Sequence, residues 1–267
     1  MNKTLISCYY KGCPFGIADF LRASINIHGY CIKKNWNFFI DFCDTPFEHL
    51  FQTPKYTLPE NEKVNTIHDA CGSSVSGYLE EEFEKKLSGG NIYKITVNWI
   101  NITSELHTEE FIKILKPKPV VLDYIDSLKF PKEYLAVHIR LGDQYLNRPG
   151  VVDFEGYNNT IKSVADNLPV VIFSDNAFIK QEFQRRYNYI IHNIDIVHAR
   201  EMRLINELEP FLKTIAEFYM IAFSTKVLSF IYSGFSHISS FLYKKEYLVV
   251  YDNFHLNYLK KYIKKIQ

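Results

Sequence analysis

What this chain lacks narrows its class before any motif is read. No two of its five cysteines, Cys8, Cys13, Cys31, Cys43 and Cys71, form a CxxC pair, and all lie in the first third of the sequence. An odd count without paired spacing argues against both a disulfide framework and a zinc cluster, and fits a reducing compartment. No run approaches the ~20 apolar residues of a membrane span, and the apolar stretch within Met1 to Tyr10 is too short for a signal peptide. The expectation is a cytoplasmic protein with no integral membrane segment, in which the Asn-x-Ser/Thr matches at Asn2, Asn101 and Asn158 are chance. An excess of charge of one sign is missing as well: 31 Lys and Arg stand against 30 Asp and Glu, for a net charge of +1. A nucleic-acid binder would show a basic surplus or stripe, so no nucleic-acid partner is expected. The one basic cluster, Lys260, Lys261, Lys264 and Lys265, reads as a solvated helix face. There is no Walker glycine loop and no evident carboxylate cluster for a metal, which disfavours an ordinary kinase or phosphatase.

Apolar material is plentiful. Hydrophobic residues make up 47% of the 267, with 21 Phe and 19 Tyr, enough to bury the core of one large domain or two ordinary ones. Leu5 to Tyr10 reads as a strand, Lys11 to Gly16 as a turn, and Ile17, Leu21, Ile25, His28 and Ile32 as one face of a helix with Gly16 at its entrance. Further strands are expected at Asn37 to Phe42 and Asn91 to Ile100, with an exposed helix near Glu80 to Lys86. Lys116-Pro117-Lys118-Pro119 disfavours a continuing helix and suggests a boundary between halves 1–117 and 118–267. Beyond it, strands at Tyr134 to Arg140, Pro169 to Asp175, Tyr189 to Val197, Lys226 to Gly234 and Tyr247 to Asp252 alternate with helices at Phe154 to Asn167, Asn176 to Tyr187, Asn206 to Ser224 and Ser236 to Lys245. That alternation predicts an α/β fold with a doubly wound parallel sheet.

Three of the later strands change character at their carboxyl ends. Leu135-Ala136-Val137 runs into His138-Ile139-Arg140, Val170 to Phe173 into Ser174-Asp175-Asn176, and Val227 to Tyr232 into Ser233-Gly234-Phe235-Ser236. In a parallel sheet these ends share one edge, where ligands of open α/β folds bind. His138 and Arg140, two apart, share a face. Two readings of Arg140 stay open: its planar fork of donors grips a bound anion such as phosphate, or it pairs with an acid elsewhere while His138 is a satisfied core residue. Ser233 to Ser236 either seats phosphate oxygens at a helix N-terminus or merely caps that helix. Asp175 either accepts from a ribose or base or caps its own helix; Phe235 either stacks on a base or packs in the core.

Taken in order, these peptides resemble those of the alpha-1,2-fucosyltransferases and, more loosely, of the alpha-1,6- and protein O-fucosyltransferases. Val137 to Tyr145 is similar to their His-x-Arg-Arg-Gly-Asp-Tyr peptide, Phe173 to Asn176 to Phe-Ser-Asp-Asp, and Ser233 to His237 to Ser-Ser-Phe-Ser-Trp. Pro14 to Phe20 echoes their N-terminal Gly-x-Gly-Asn turn. Leu141 replaces the second arginine and His237 the tryptophan. The resemblance implies a GT-B fold, two Rossmann-like halves facing a central cleft, with the acceptor mainly on the N-terminal half and the nucleotide sugar mainly on the C-terminal half. It implies an inverting, metal-independent glycosyltransferase with no cofactor beyond its donor substrate, GDP-fucose first and a UDP-sugar such as UDP-xylose second. The partner would be an oligosaccharide or glycoconjugate acceptor, and the source bacterial or viral. Arg140 would hold the donor diphosphate, with Gly16, His138, Asp175, Ser233, Gly234, Phe235 and Ser236 around the nucleotide. Asp19 and Asp143 rank first as the base, before Asp153 and Glu155. A catalytically silent nucleotide-sugar or glycan-binding protein is the alternative.

Overall fold

Parallel strands dominate the architecture. The computed structural model describes residues 2–13, 15–42, 44–60, 62–68, 80–97, 106–141, 152–192 and 207–251. The chain divides into two units, Met1–Tyr124 with Val197–Leu212, and Ile125–Ile196 with Lys213–Gln267.

Unit 1 is built on β1 (Thr4–Cys8), α1 (Ile17–Lys34), β2 (Asn37–Asp41), β4 (Val64–His68) and β5 (Ile92–Thr96), with α2 (Glu80–Lys86) and α3 (Thr108–Ile114) around them. Its four-stranded sheet has the order β2-β1-β5-β4, every pairing parallel. Leu5, Tyr93 and Ile95 face Ala23, Ile27 and Tyr30 of α1 in one buried cluster. The alternation that turns these residues toward α1 turns Ile6, Phe39 and Lys94 to the opposite face. Most of α1 is buried, but Ile32, expected on its packed stripe, is exposed in the last turn. The helix closes on Asn35 in the left-handed region (φ 54°), whose amide returns to Cys31 and Ile32, as asparagine readily does at a C-terminus. Lys116–Pro117 forms a short strand, β6, antiparallel to β3 (Phe51–Gln52), and Pro119 opens α4 (Pro119–Ser127), a position where a missing N–H costs nothing.

Unit 2 follows β7 (Leu135–Ile139), α5 (Phe154–Ala165), β8 (Val170–Ser174), α6 (Ala177–Tyr187), β9 (Ile190–Ile191), α7 (Glu209–Phe223), β10 (Lys226–Phe230), α8 (Gly234–Leu242) and β11 (Glu246–Val250). The sheet order is β11-β10-β7-β8-β9, again all parallel. Both faces are covered, which is why the central strands read as unbroken apolar runs. Leu135, Val137 and Ile139 pack with Phe154 and Ile161 of α5 and Phe183 of α6. Ala136 and Tyr134 lie on the other side with Met220 and Ile221 of α7. The strand expected over Tyr189 to Val197 is only Ile190–Ile191 among the described residues: His192 already lies outside it, and 193–197 fall outside the described residues. The strand expected to reach Gly234 stops at Phe230 because Ile231 swings to φ 74°. Among the described residues no helix is long and apolar enough to cross a membrane.

Candidate functional site

The carboxyl edge of the second sheet gathers the polar residues. β7 lies between β10 and β8, and the register aligns Phe230, Ile139 and Ser174 across the three strands. The next residues, Ile231, Arg140 and Asp175, therefore leave three adjacent strand ends. Ser174 ties two of these ends together, its hydroxyl donating to the Ile139 carbonyl at 2.7 Å.

Arg140 has an acid partner. Its Nη1 lies 3.5 Å from Asp175 Oδ2, with the Arg side chain 33% exposed and the Asp side chain 6%. The separation exceeds the ~2.8 Å of a closed charge-assisted bond, so the carboxylate orients the guanidinium while a third of that side chain faces solvent. The amide of Leu141 donates to Asp175 Oδ1 at 3.0 Å. Helix capping, the other use open to Asp175, falls to its neighbour: Asn176 Oδ1 accepts from the Ile179 amide at 3.2 Å and starts α6.

His138 is buried one step behind Arg140. Its Nδ1 sits 2.9 Å from Ser236 Oγ, and its ring lies 6.3 Å from that of Phe235. Burial pushes its pKa down to about 4; the Arg140 cation lowers it too, and the Asp175 carboxylate opposes both. The imidazole is neutral near pH 7 and adds no second cation beside Arg140. Ser236 is fully buried, and its hydroxyl links α8 to β7 through His138. Phe235 packs edge-on against Phe218, centroids 5.4 Å apart.

Ser233 occupies the N-cap position of α8 in extended geometry, yet its side chain makes no capping bond. The first-turn amides at Gly234, Phe235 and Ser236 thus carry the positive end of the helix without a side-chain cap, the arrangement that seats anions. The chain enters this turn through Ile231, a β-branched residue at φ 74°, which costs on the order of 1–3 kcal/mol. Two bonds hold it there: its amide donates to the Val250 carbonyl at 2.9 Å, and Ser229 Oγ donates to its carbonyl at 2.7 Å.

Glu217 of α7 was not among the residues singled out by sequence. It is fully buried with one carboxylate oxygen lacking a hydrogen-bond partner among the described residues. Burial lifts its pKa to about 8, with buried Lys180 pulling it down and Asp175 adding to the rise. A single acid in the apolar run Ile215 to Phe223 was the available signal.

In unit 1, Gly16 sits at the N-cap of α1 in extended conformation (φ −74°), and a Cβ there would meet only Asp19 Oδ2 at 4.0 Å. The glycine that the turn requires is Gly12, at φ 118°. Asp19 lies in the first turn of α1, paired at 2.6 Å with Arg22. Asp143 lies outside the described residues. Asp153 caps α5 by accepting from the Gly156 amide at 2.9 Å, and Glu155 is exposed in the turn that follows. Among the described residues no group of three His, Cys, Asp or Glu side chains is placed to hold a metal ion.

The fold is similar to that of several solved fucosyltransferases. Fucosyltransferase NodZ from Bradyrhizobium aligns over 96% of this chain and 97% of its own at 13% identity, with a TM-score of 0.58. An Arabidopsis thaliana FUT1 variant in complex with GDP aligns over 95% and 71% at 11% identity, TM-score 0.63. POFUT1 in complex with GDP aligns over 94% and 98% at 12% identity, TM-score 0.55. By sequence, no family model and no curated protein matches the chain.

Proposed function

We propose that the chain is an inverting, metal-independent glycosyltransferase, moving fucose from GDP-fucose to a hydroxyl of an oligosaccharide or glycoconjugate. The observation that carries this reading is the placing of Arg140 after β7 and of the start of α8, without a side-chain cap, after the adjacent strand β10. Structures sharing the fold, NodZ soaked with GDP-fucose and POFUT1 with GDP or GDP-fucose, support the choice of donor. As the glycosidic bond breaks, negative charge builds on the leaving diphosphate. A guanidinium and helix amides already in place stabilise that charge without reorganising. Asp175 aims Arg140 and can accept from the nucleoside, while neutral His138 fixes α8 to β7 through Ser236. The acceptor hydroxyl gives its proton to a carboxylate as the anomeric centre inverts; Asp19 and Asp143 are the residues proposed for that step.

Thermal shifts against GDP, GDP-fucose, UDP and UDP-sugars test the donor, with transfer assayed in the presence of a chelator. Stabilisation by the GDP compounds and chelator-insensitive transfer are expected. Stabilisation by UDP compounds alone would move the donor to a UDP-sugar such as UDP-xylose. Leu141, in place of a second arginine, favours one other reading, a nucleotide-sugar or glycan-binding protein without turnover, for which donors stabilise the chain but no product forms. Arg140→Ala is expected to keep the melting temperature and cut turnover on the order of a hundredfold or more; turnover matching the wild type would remove Arg140 from the mechanism.

A further inference from the structure

Unit 1 contains a cavity of about 720 Å³ on the face of its sheet turned away from α1. Its floor is one cross-sheet row, Phe39, Ile6 and Lys94, set side by side by the β2-β1 and β1-β5 registers. Helices usually cover such a face in an α/β sheet. Here the segment 48–58 lies over it instead, and the cavity forms between that segment and the strands.

The lining combines two kinds of surface. One wall is aromatic: the half-buried rings of Phe39 and Tyr56 approach to 4.8 Å at 42°, and Phe42 stacks on Phe51 at 5.0 Å and 18° behind them. The other surface is polar and of both signs. Asp41 Oδ2 and Lys94 Nζ face each other at 3.4 Å, both partly exposed, and Glu48, His49, Gln52, Thr53, Lys55 and Lys118 add further polar groups. A lipid would strand these charges against its chains. A polyphosphate would meet the Asp41 and Glu48 carboxylates. A pyranose answers both surfaces, since its C–H face is attracted to the negative face of an aromatic ring and its hydroxyls can accept from an ammonium and donate to a carboxylate. The volume lies in the range of small-molecule sites and exceeds what a single sugar ring needs.

We propose that this cavity binds a neutral di- or trisaccharide, with a sugar ring stacked on Tyr56 and Phe39 and its hydroxyls bridged to Asp41 and Lys94. The site lies wholly within unit 1, and the inference stands whether or not unit 2 transfers a sugar. Saturation-transfer NMR of the full chain at millimolar maltotriose, cellotriose, chitotriose, xylotriose and lactose tests it. At least one of these is expected to bind. Tyr56→Ala and Asp41→Asn should each weaken that binding about tenfold or more, whereas Tyr56→Phe keeps it and Arg140→Ala leaves it unchanged. The two weakening substitutions are at partly exposed positions and should leave the melting temperature in place. Absence of binding across the five sugars overturns the proposal, as does binding indifferent to both substitutions or lost with Arg140→Ala. Failure of nucleotide binding or transfer bears on unit 2 alone.

Discussion

Glu217 shows how one carboxylate can set a pH dependence for the whole chain. Its folded pKa, about 8, stands above the ordinary value of about 4.5 that it regains on unfolding. Between those two pH values the unfolded state ionises while the folded state stays protonated, so stability falls as pH rises through that window and levels off above it. Glu217→Gln keeps the shape and removes the titration. We expect the variant to be more stable than the wild type at pH 8, by on the order of a few kcal/mol, and the two to converge near pH 4.5. Urea melts across that range measure it; parallel curves would show that Glu217 does not titrate in the fold as described. The neighbouring site residues were far more legible. Arg140, His138 and Asp175 stand out because each breaks an apolar run at a strand end. What strand pattern could not reveal is that Asp175 sits against Arg140, since that contact depends on β7 and β8 being neighbours. Of the two readings of Arg140, the acid partner is present in Asp175, and a third of the Arg140 side chain remains exposed.

The β10-to-α8 turn is where an element departs from its sequence pattern. Alternation of apolar residues carried the expected strand on to Gly234, and nothing in side-chain character marks Ile231 as the residue that leaves the extended region. The cause lies in the backbone, in the bonds to Val250 and from Ser229 that pin the carbonyl and amide of Ile231. The same local pattern did yield α8 and its position at the site, although the helix begins at Gly234 rather than Ser236. Ile231→Gly removes the steric penalty of a β-branched left-handed residue at the cost of extra backbone entropy in the unfolded chain. A melting temperature equal to or above that of the wild type is expected, together with weaker nucleotide binding, because the turn that presents the α8 amides is no longer held in one shape. Calorimetric titration with GDP checks this, and tighter binding by the glycine variant would refute the idea that the restricted backbone of Ile231 helps to hold the turn in its binding shape.

For the molecule as a whole, the repeating strand and helix pattern beyond Pro119 was enough to predict a parallel α/β sheet; the four- and five-stranded sheets are both parallel throughout, and the short β3-β6 pair is antiparallel. The return of a late segment to unit 1 was not legible, since no local pattern links Phe211 to Phe47. Their rings meet edge-on at 5.8 Å, both fully buried. A fragment ending at residue 117 would therefore keep every strand of the first sheet yet leave the Phe47 ring without its cover. We expect that fragment to bind an apolar dye and to associate; a monomeric fragment melting as cooperatively as the intact chain would show that Phe211 is dispensable. The same contact imposes an order of events during synthesis. When the first sheet has left the ribosome its aromatic seat is still empty, and the ring that fills it emerges only after β7 and β8 have been made, so the first unit cannot finish folding until part of the second has already been translated.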